Sequence, residues 1–126
     1  MIAKREGGCL CGAVRYRLEG DPFLVGTCHC ADCRKESGSV LVAYAKWPID
    51  RFSFTGNVRT QSGRSFCPEC GSRLFNLHAD DVEIRIGSLD DAPTHLLPQQ
   101  EGWIKRREHW LQPLPGVPQF AEDPDR

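Results

Sequence analysis

The sequence predicts a mainly β fold, small sheets with at most short helices. Three observations predict it. Short runs alternate apolar and polar residues with the two-residue period of a half-buried strand. Glycine- and proline-containing turns separate those runs at close intervals. Seven cysteines, gathered in three blocks within a chain of 126 residues, offer metal staples for a core of modest size.

The elements follow in order. "AVRYRLEG" (13–20) alternates and stops at "GDP". "ADCRKES" (31–37) is the one plausible helix, with Asp32 near its positive end and Gly38 to stop it. "SVLVAYAKW" (39–47) is β-branched and aromatic, and Pro48 ends it. "RFSFTG" and "NVRTQSG" (51–63) are expected to pair as a hairpin about Gly56-Asn57. "SRLFNLH" (72–78) and "DVEIRIGSL" (81–89) alternate again across Asp80. "GWIKRREHW" (102–110) is a further strand candidate. The last fifteen residues hold four prolines, so a loosely ordered tail is expected from about Gln112. Residues 1–126 are read as a single domain.

Composition narrows the function. The formal net charge is −1 and the sequence pI about 6.4, with both signs interspersed. No basic stripe announces a nucleic acid. The longest apolar run, "VLVAYA", is too short for a membrane span, and the N-terminus shows no apolar signal region. A cytoplasmic location is therefore expected, where clustered cysteines serve as metal ligands or reactive thiols rather than disulfides. Seven is also an odd number for a disulfide framework.

Spacing sorts the cysteines. "FCPECG" places Cys67 and Cys70 two residues apart, so both thiolates can meet one tetrahedral ion at ~2.3 Å. Gly71 permits the positive φ such a turn requires. "GCLCG" offers Cys9 and Cys11, flanked by glycines, to complete a four-cysteine structural zinc site. "CHCADC" leaves Cys28, Cys30 and Cys33, three ligands with one position open, the coordination of a catalytic zinc. Cys30 and Cys33 also lie at the predicted helix start, where partial positive charge favours thiolate. Two alternatives stay open. His29, His78, His95 or His109 could close the triplet into a second structural site; His29 is the least suited, pointing away from its cysteine neighbours in an extended segment. Otherwise the triplet could share an ion with Cys67 and Cys70, stranding Cys9 and Cys11.

The blocks "GGCLCGAVRY", "CHCADCRKESGS" and "RSFCPECGSRLF", in that order, resemble the glutathione-dependent formaldehyde-activating enzyme family, a domain similar to one in centromere protein V. "REHWLQPLPGVPQF" is similar to that family's ending, and the resemblance covers about Gly7 to Phe120. It implies a β-tent fold of small sheets around zinc. It implies a structural zinc on Cys9, Cys11, Cys67 and Cys70, and a second, catalytic zinc on Cys28, Cys30 and Cys33. It implies a carbon–sulfur lyase that adds glutathione, as co-substrate, to formaldehyde, giving S-hydroxymethylglutathione.

The residues suit such chemistry. Zinc deprotonates a bound thiol at neutral pH. Three thiolates leave the ion with a net charge of −1, a poor Lewis acid, so delivery of a thiolate to a small aldehyde is the favoured role. Glutathione carries two carboxylates, and Arg34, Lys35 and Arg64, beside the cysteine blocks, are candidates to bind them; each could equally be a solvated surface charge. Ser37 and Ser39 could donate to a ligand or serve the turn. Expected partners are thus a small-molecule thiol and an aldehyde, with no nucleic acid and no membrane. Two zinc ions on seven thiolates would lower the formal charge from −1 to −4, which further disfavours nucleic acid. The alternative is a zinc-stabilised interaction module without catalysis, and a closed fourth ligand at the triplet would favour it.

Overall fold

A computed structural model describes residues 3–124. In chain order the strands are β1 (Lys4–Gly8), β2 (Arg15–Glu19), β3 (Leu24–Cys28), β4 (Val42–Pro48) and β5 (Phe52–Thr55). They continue with β6 (Arg59–Gln61), β7 (Arg64–Phe66), β8 (Arg73–Leu77), β9 (Asp81–Arg85) and β10 (Gln100–Gly102). One α-helix, α1 (Ala31–Ser37), joins them, so the fold is mainly β, in two sheets. No helix of the described residues is long and apolar enough to cross a membrane. The chain forms two compact units, one of residues 3–23 and 45–95, the other of residues 24–44 and 96–124.

In the first unit β1, β2 and β5 form an antiparallel ladder, with Gly7 opposite Tyr16 and Tyr16 opposite Phe54. The alternation of β2 is that of a strand with one buried face: Tyr16 and Leu18 are buried while Arg17 and Glu19 are exposed. β6 to β9 form a meander of successive antiparallel pairs. The expected hairpin about Gly56-Asn57 does not form. β5 pairs with β2, and β6 pairs with β7. The turn between β6 and β7 uses Ser62 and Gly63, with φ of 52° and 78°, the two-residue loop with two positive φ values whose twist matches a hairpin. Gly56 answers a different need: at φ 95° a Cβ there would lie 2.1 Å from the Ala13 carbonyl oxygen.

Val14, Tyr16, Leu18, Trp47, Leu74, Phe75, Val82 and Ile84 build this unit's core. Trp47 satisfies its indole N–H on the Gly20 carbonyl at 2.9 Å. Phe75 sits among aromatic rings, 5.0 Å from Phe52, 5.3 Å from Phe54 and 6.1 Å from Tyr16 between centroids. Phe75→Ala should therefore cost about 3–5 kcal/mol, the range for emptying a buried aromatic site. Urea unfolding of the metal-loaded chain checks this; a loss under about 1 kcal/mol would show that the aromatic cluster does not hold the unit.

In the second unit β3 and β10 run parallel, with Thr27 opposite Glu101 and Cys28 opposite Gly102. Gly26 is required because a Cβ would lie 2.5 Å from the Tyr44 hydroxyl, which accepts from Gln100 Nε2 at 2.8 Å. α1 begins three residues after β3 ends and stops at Gly38, which takes a φ of 71° and donates its N–H to the Arg34 carbonyl. The strand expected over 102–110 is instead broken at its second residue. Trp103 adopts a left-handed φ of 56° and a 3₁₀ turn follows over Ile104–Arg106. The proline-rich end returns along β10. Glu101 N–H donates to the Pro118 carbonyl, and Phe120 N–H to the Glu101 carbonyl, both at 2.9 Å.

Candidate metal centres

The first unit brings Cys9, Cys11, Cys67 and Cys70 together, all four sulfurs within 4.8 Å of one another. Four sulfurs around a tetrahedral ion at ~2.3 Å lie about 3.8 Å apart. Here Cys9 and Cys11 are 3.6 Å apart, and Cys11 and Cys67 3.7 Å. All are free thiols, too far apart for disulfides. Two tight turns aim them. Cys67 N–H donates to the Ser72 carbonyl at 3.0 Å and Gly71 N–H to the Cys67 carbonyl at 2.8 Å, with Gly71 at φ 80° as the turn demands. Cys9 mirrors this with Val14 and Gly12, and the Val14 N–H also donates to its sulfur at 3.2 Å.

Close packing of the sulfurs sets Cys9, Cys70 and Cys11 apart in pKa. Burial pushes Cys9 up, but the Val14 N–H and the neighbouring sulfurs hold it below the usual thiol range. Cys70 is pulled down to about 5, first by the Ser72 hydroxyl. The Ala13 backbone lowers Cys11, yet Cys9, burial, Cys70 and Cys67 outweigh it and push Cys11 up to about 12. A divalent cation removes that mutual repulsion, and the donor set fits one. The arrangement in which Cys67 and Cys70 share an ion with the triplet is overturned, because their sulfurs cluster with Cys9 and Cys11.

The second unit brings Cys28, Cys30 and Cys33 together, half-buried, their sulfurs also within 4.8 Å of one another. β3 delivers Cys28 at its last residue. Cys30 caps α1, its sulfur accepting the Cys33 N–H at 3.3 Å. Burial raises the Cys30 thiol and outweighs that N–H, which lowers it as the helix start predicts. Among the described residues no histidine or carboxylate joins this cluster. The donor set fits an ion held by three thiolates with one position open.

Of the basic candidates, Arg34 and Lys35 lie on α1 directly after Cys33, while Arg64 lies on β7 of the other unit. Arg34 already donates to the Arg106 carbonyl at 3.2 Å and pairs with Glu108 at 3.5 Å. Ser37 takes the turn role: its hydroxyl donates to the Cys33 carbonyl at 2.7 Å and accepts the Ser39 N–H.

Beside the triplet lie Glu101 and Thr27, which sequence patterns do not mark, and His29, which does not join the sulfurs. Glu101 is buried opposite Thr27 and accepts its hydroxyl at 3.0 Å. His29, fully buried, places Nε2 3.6 Å from the same carboxylate oxygen, and neither ring nitrogen has a hydrogen bond. Burial lowers its pKa more than Glu101 raises it, so the ring is neutral at pH 7. A lone glutamate in "QQEGW" has no spacing to reveal it.

The model of the glutathione-dependent formaldehyde-activating enzyme family matches residues 4–106. The chain belongs to that family. A curated relative from Halomonas elongata, named "Putative glutathione-dependent formaldehyde-activating enzyme", is 31% identical over 84 residues. The match takes in 56% of this chain and 54% of the relative, so the chain matches about half the length of that curated family member. A crystal structure of a Rhodobacter sphaeroides protein superposes with a TM-score of 0.53 at 16% identity. It covers 74% of this chain and 97% of its own, a likeness of fold alone.

Proposed function

We propose that this family member is a zinc enzyme of the carbon–sulfur lyase type. It adds glutathione or a related thiol to formaldehyde or another small aldehyde at Cys28, Cys30 and Cys33, while Cys9, Cys11, Cys67 and Cys70 hold a structural zinc. The observation that carries this reading is the half-buried triplet of sulfurs, which no histidine or carboxylate among the described residues joins. When bound there, zinc would supply a coordinated thiolate from the incoming thiol at neutral pH. A carbon–sulfur bond forms to the carbonyl carbon, the carbonyl electron pair moves to oxygen, and the thiol proton ends on that oxygen. No redox partner is needed.

The chain's own part is positional. Three thiolates keep the site anionic and so suited to holding a nucleophile rather than polarising a carbonyl. Lys35 and Arg34 follow Cys33 on α1, and that proximity supports a role for them in meeting the carboxylates of glutathione, Arg34 beyond its contacts with Arg106 and Glu108. Arg64, on β7, is the third candidate for the same role.

Zinc release tests the reading. Protein purified without oxygen should carry two zinc ions per chain. A chelator should strip one faster than the other, and excess glutathione should slow that faster loss. One zinc per chain under every condition would remove the metal site from the triplet, leaving redox thiols or a binding module as its role.

A further inference from the structure

We propose that Glu101 is a positioning residue for the three-cysteine site: its carboxylate ties the segment 106–119 to the elements that carry Cys28, Cys30 and Cys33. The proposal deepens the thiol-binding reading above and rests on it.

A carboxylate only 4% exposed is costly unless its oxygens are fully engaged. Those of Glu101 are engaged on two different sides. Oε1 accepts the Thr27 hydroxyl at 3.0 Å and faces His29 Nε2 at 3.6 Å. Thr27 precedes Cys28 and His29 follows it, so this oxygen is hydrogen-bonded to one flank of a sulfur donor and lies beside the other. Oε2 accepts the Leu114 N–H at 2.9 Å, Gln119 Nε2 at 2.7 Å and Arg107 Nη2 at 3.3 Å. These three belong to the returning segment. One side chain thus joins a ligand-bearing strand to a stretch that contains no cysteine.

The same segment holds the other end of the triplet. Arg34, beside Cys33, donates to the Arg106 carbonyl and pairs with Glu108. His29 N–H donates to the Gly102 carbonyl at 3.2 Å. The run from Cys28 to Cys33 is therefore held at both ends by residues 101–108, with Glu101 anchoring residues 114–119 behind them. Burial pushes the Glu101 carboxyl up, but the Leu114 N–H, Gln119, Thr27 and Arg107 bring it below the usual range, so it stays charged and its hydrogen bonds are charge-assisted. α1 itself buries no residue and so has little packing of its own to fix Cys33. Residues that orient metal ligands from behind commonly set affinity or activity by 10–100-fold.

Two variants cut the ties separately. Thr27→Val removes a partner of Oε1 and Gln119→Leu a partner of Oε2; neither is a candidate ligand, and each leaves the carboxylate its remaining contacts. The full chain is loaded with cobalt(II), whose thiolate charge-transfer and ligand-field bands report geometry, and Cys30→Ala isolates the four-cysteine spectrum for subtraction. Expected is a shift of the three-cysteine cobalt bands in both variants, with glutathione affinity weakened about tenfold or more and the four-cysteine bands unchanged. Lower thermal midpoints with unaltered bands and unaltered glutathione affinity would reduce Glu101 to a structural residue. Should wild type bind a single cobalt, the thiol-binding reading itself has failed, and the metal-free chain then answers for Glu101. Iodoacetamide should label Cys28, Cys30 and Cys33 about tenfold faster in both variants than in wild type, and equal rates would overturn the positioning role.

Discussion

Cys67→Ser is expected to leave the chain without a cooperative fold at 25 °C. Cys67 is fully buried, and its backbone forms both bonds of the turn that presents Cys70. Its sulfur lies 3.7 Å from that of Cys11, across 56 residues of sequence. An ion among the four sulfurs therefore closes a long loop, joining the start of the chain to the hairpins of β6 to β9. Structural zinc on thiolates binds with an apparent ~10–16 kcal/mol at neutral pH, as much as or more than the ~5–15 kcal/mol by which whole domains are stable. Serine keeps the shape but offers a hydroxyl that does not ionise near neutrality and a shorter reach to the ion. Circular dichroism melts of the two proteins, with zinc counted in each, check this. A cooperative melt within about 2 °C of wild type would mean that the four sulfurs do not carry the fold.

The sequence makes this centre readable because its determinants are local. Two residues between Cys67 and Cys70, one between Cys9 and Cys11, and the glycines beside them describe two turns, and the structure builds those turns as expected. The helix was readable for the same reason: Asp32 lies in its first turn, Gly38 ends it, and both signals are local, while the Cys30 cap shows only in the structure. β2 and β9 show alternation because each buries one face more than the other, while β8 buries the adjacent Leu74 and Phe75. What stays hidden is non-local. Ser62-Gly63 marks a turn more weakly than Gly56-Asn57 marks a hairpin, so the sequence passes over the β6–β7 hairpin while Gly56, fitted against Ala13, gives a misleading signal. "GWIKRREHW" alternates poorly, and Trp103 leaves the extended region at once. Glu101 has partners at positions 27, 29, 107, 114 and 119, and no window of sequence holds them together.

Substitution of Cys30 separates chemistry from folding. Cys30 does two jobs in one atom: its sulfur is one of the three proposed ligands, and it accepts the Cys33 N–H that opens α1. Cys30→Ala ends both. The lost cap should cost about 1 kcal/mol, and because α1 buries no residue that loss should stay local. The lost thiolate leaves two ligands, too few to hold an ion with an open position. Catalysed addition of glutathione to formaldehyde should then fall by at least about 10³-fold, equivalent to about 4 kcal/mol of barrier. Cys30→Ser divides the two roles, since its hydroxyl oxygen can accept the same N–H but does not ionise to replace the thiolate. Serine should recover most of the lost stability and almost none of the activity. The rate of hydroxymethyl-thiol formation above background, set beside urea midpoints for the three proteins, measures both. More than about a tenth of wild-type activity in either variant would move the chemistry away from Cys30. Recovery of stability and activity together in serine would mean that the helix cap, and not a metal-held thiolate, is what the reaction requires.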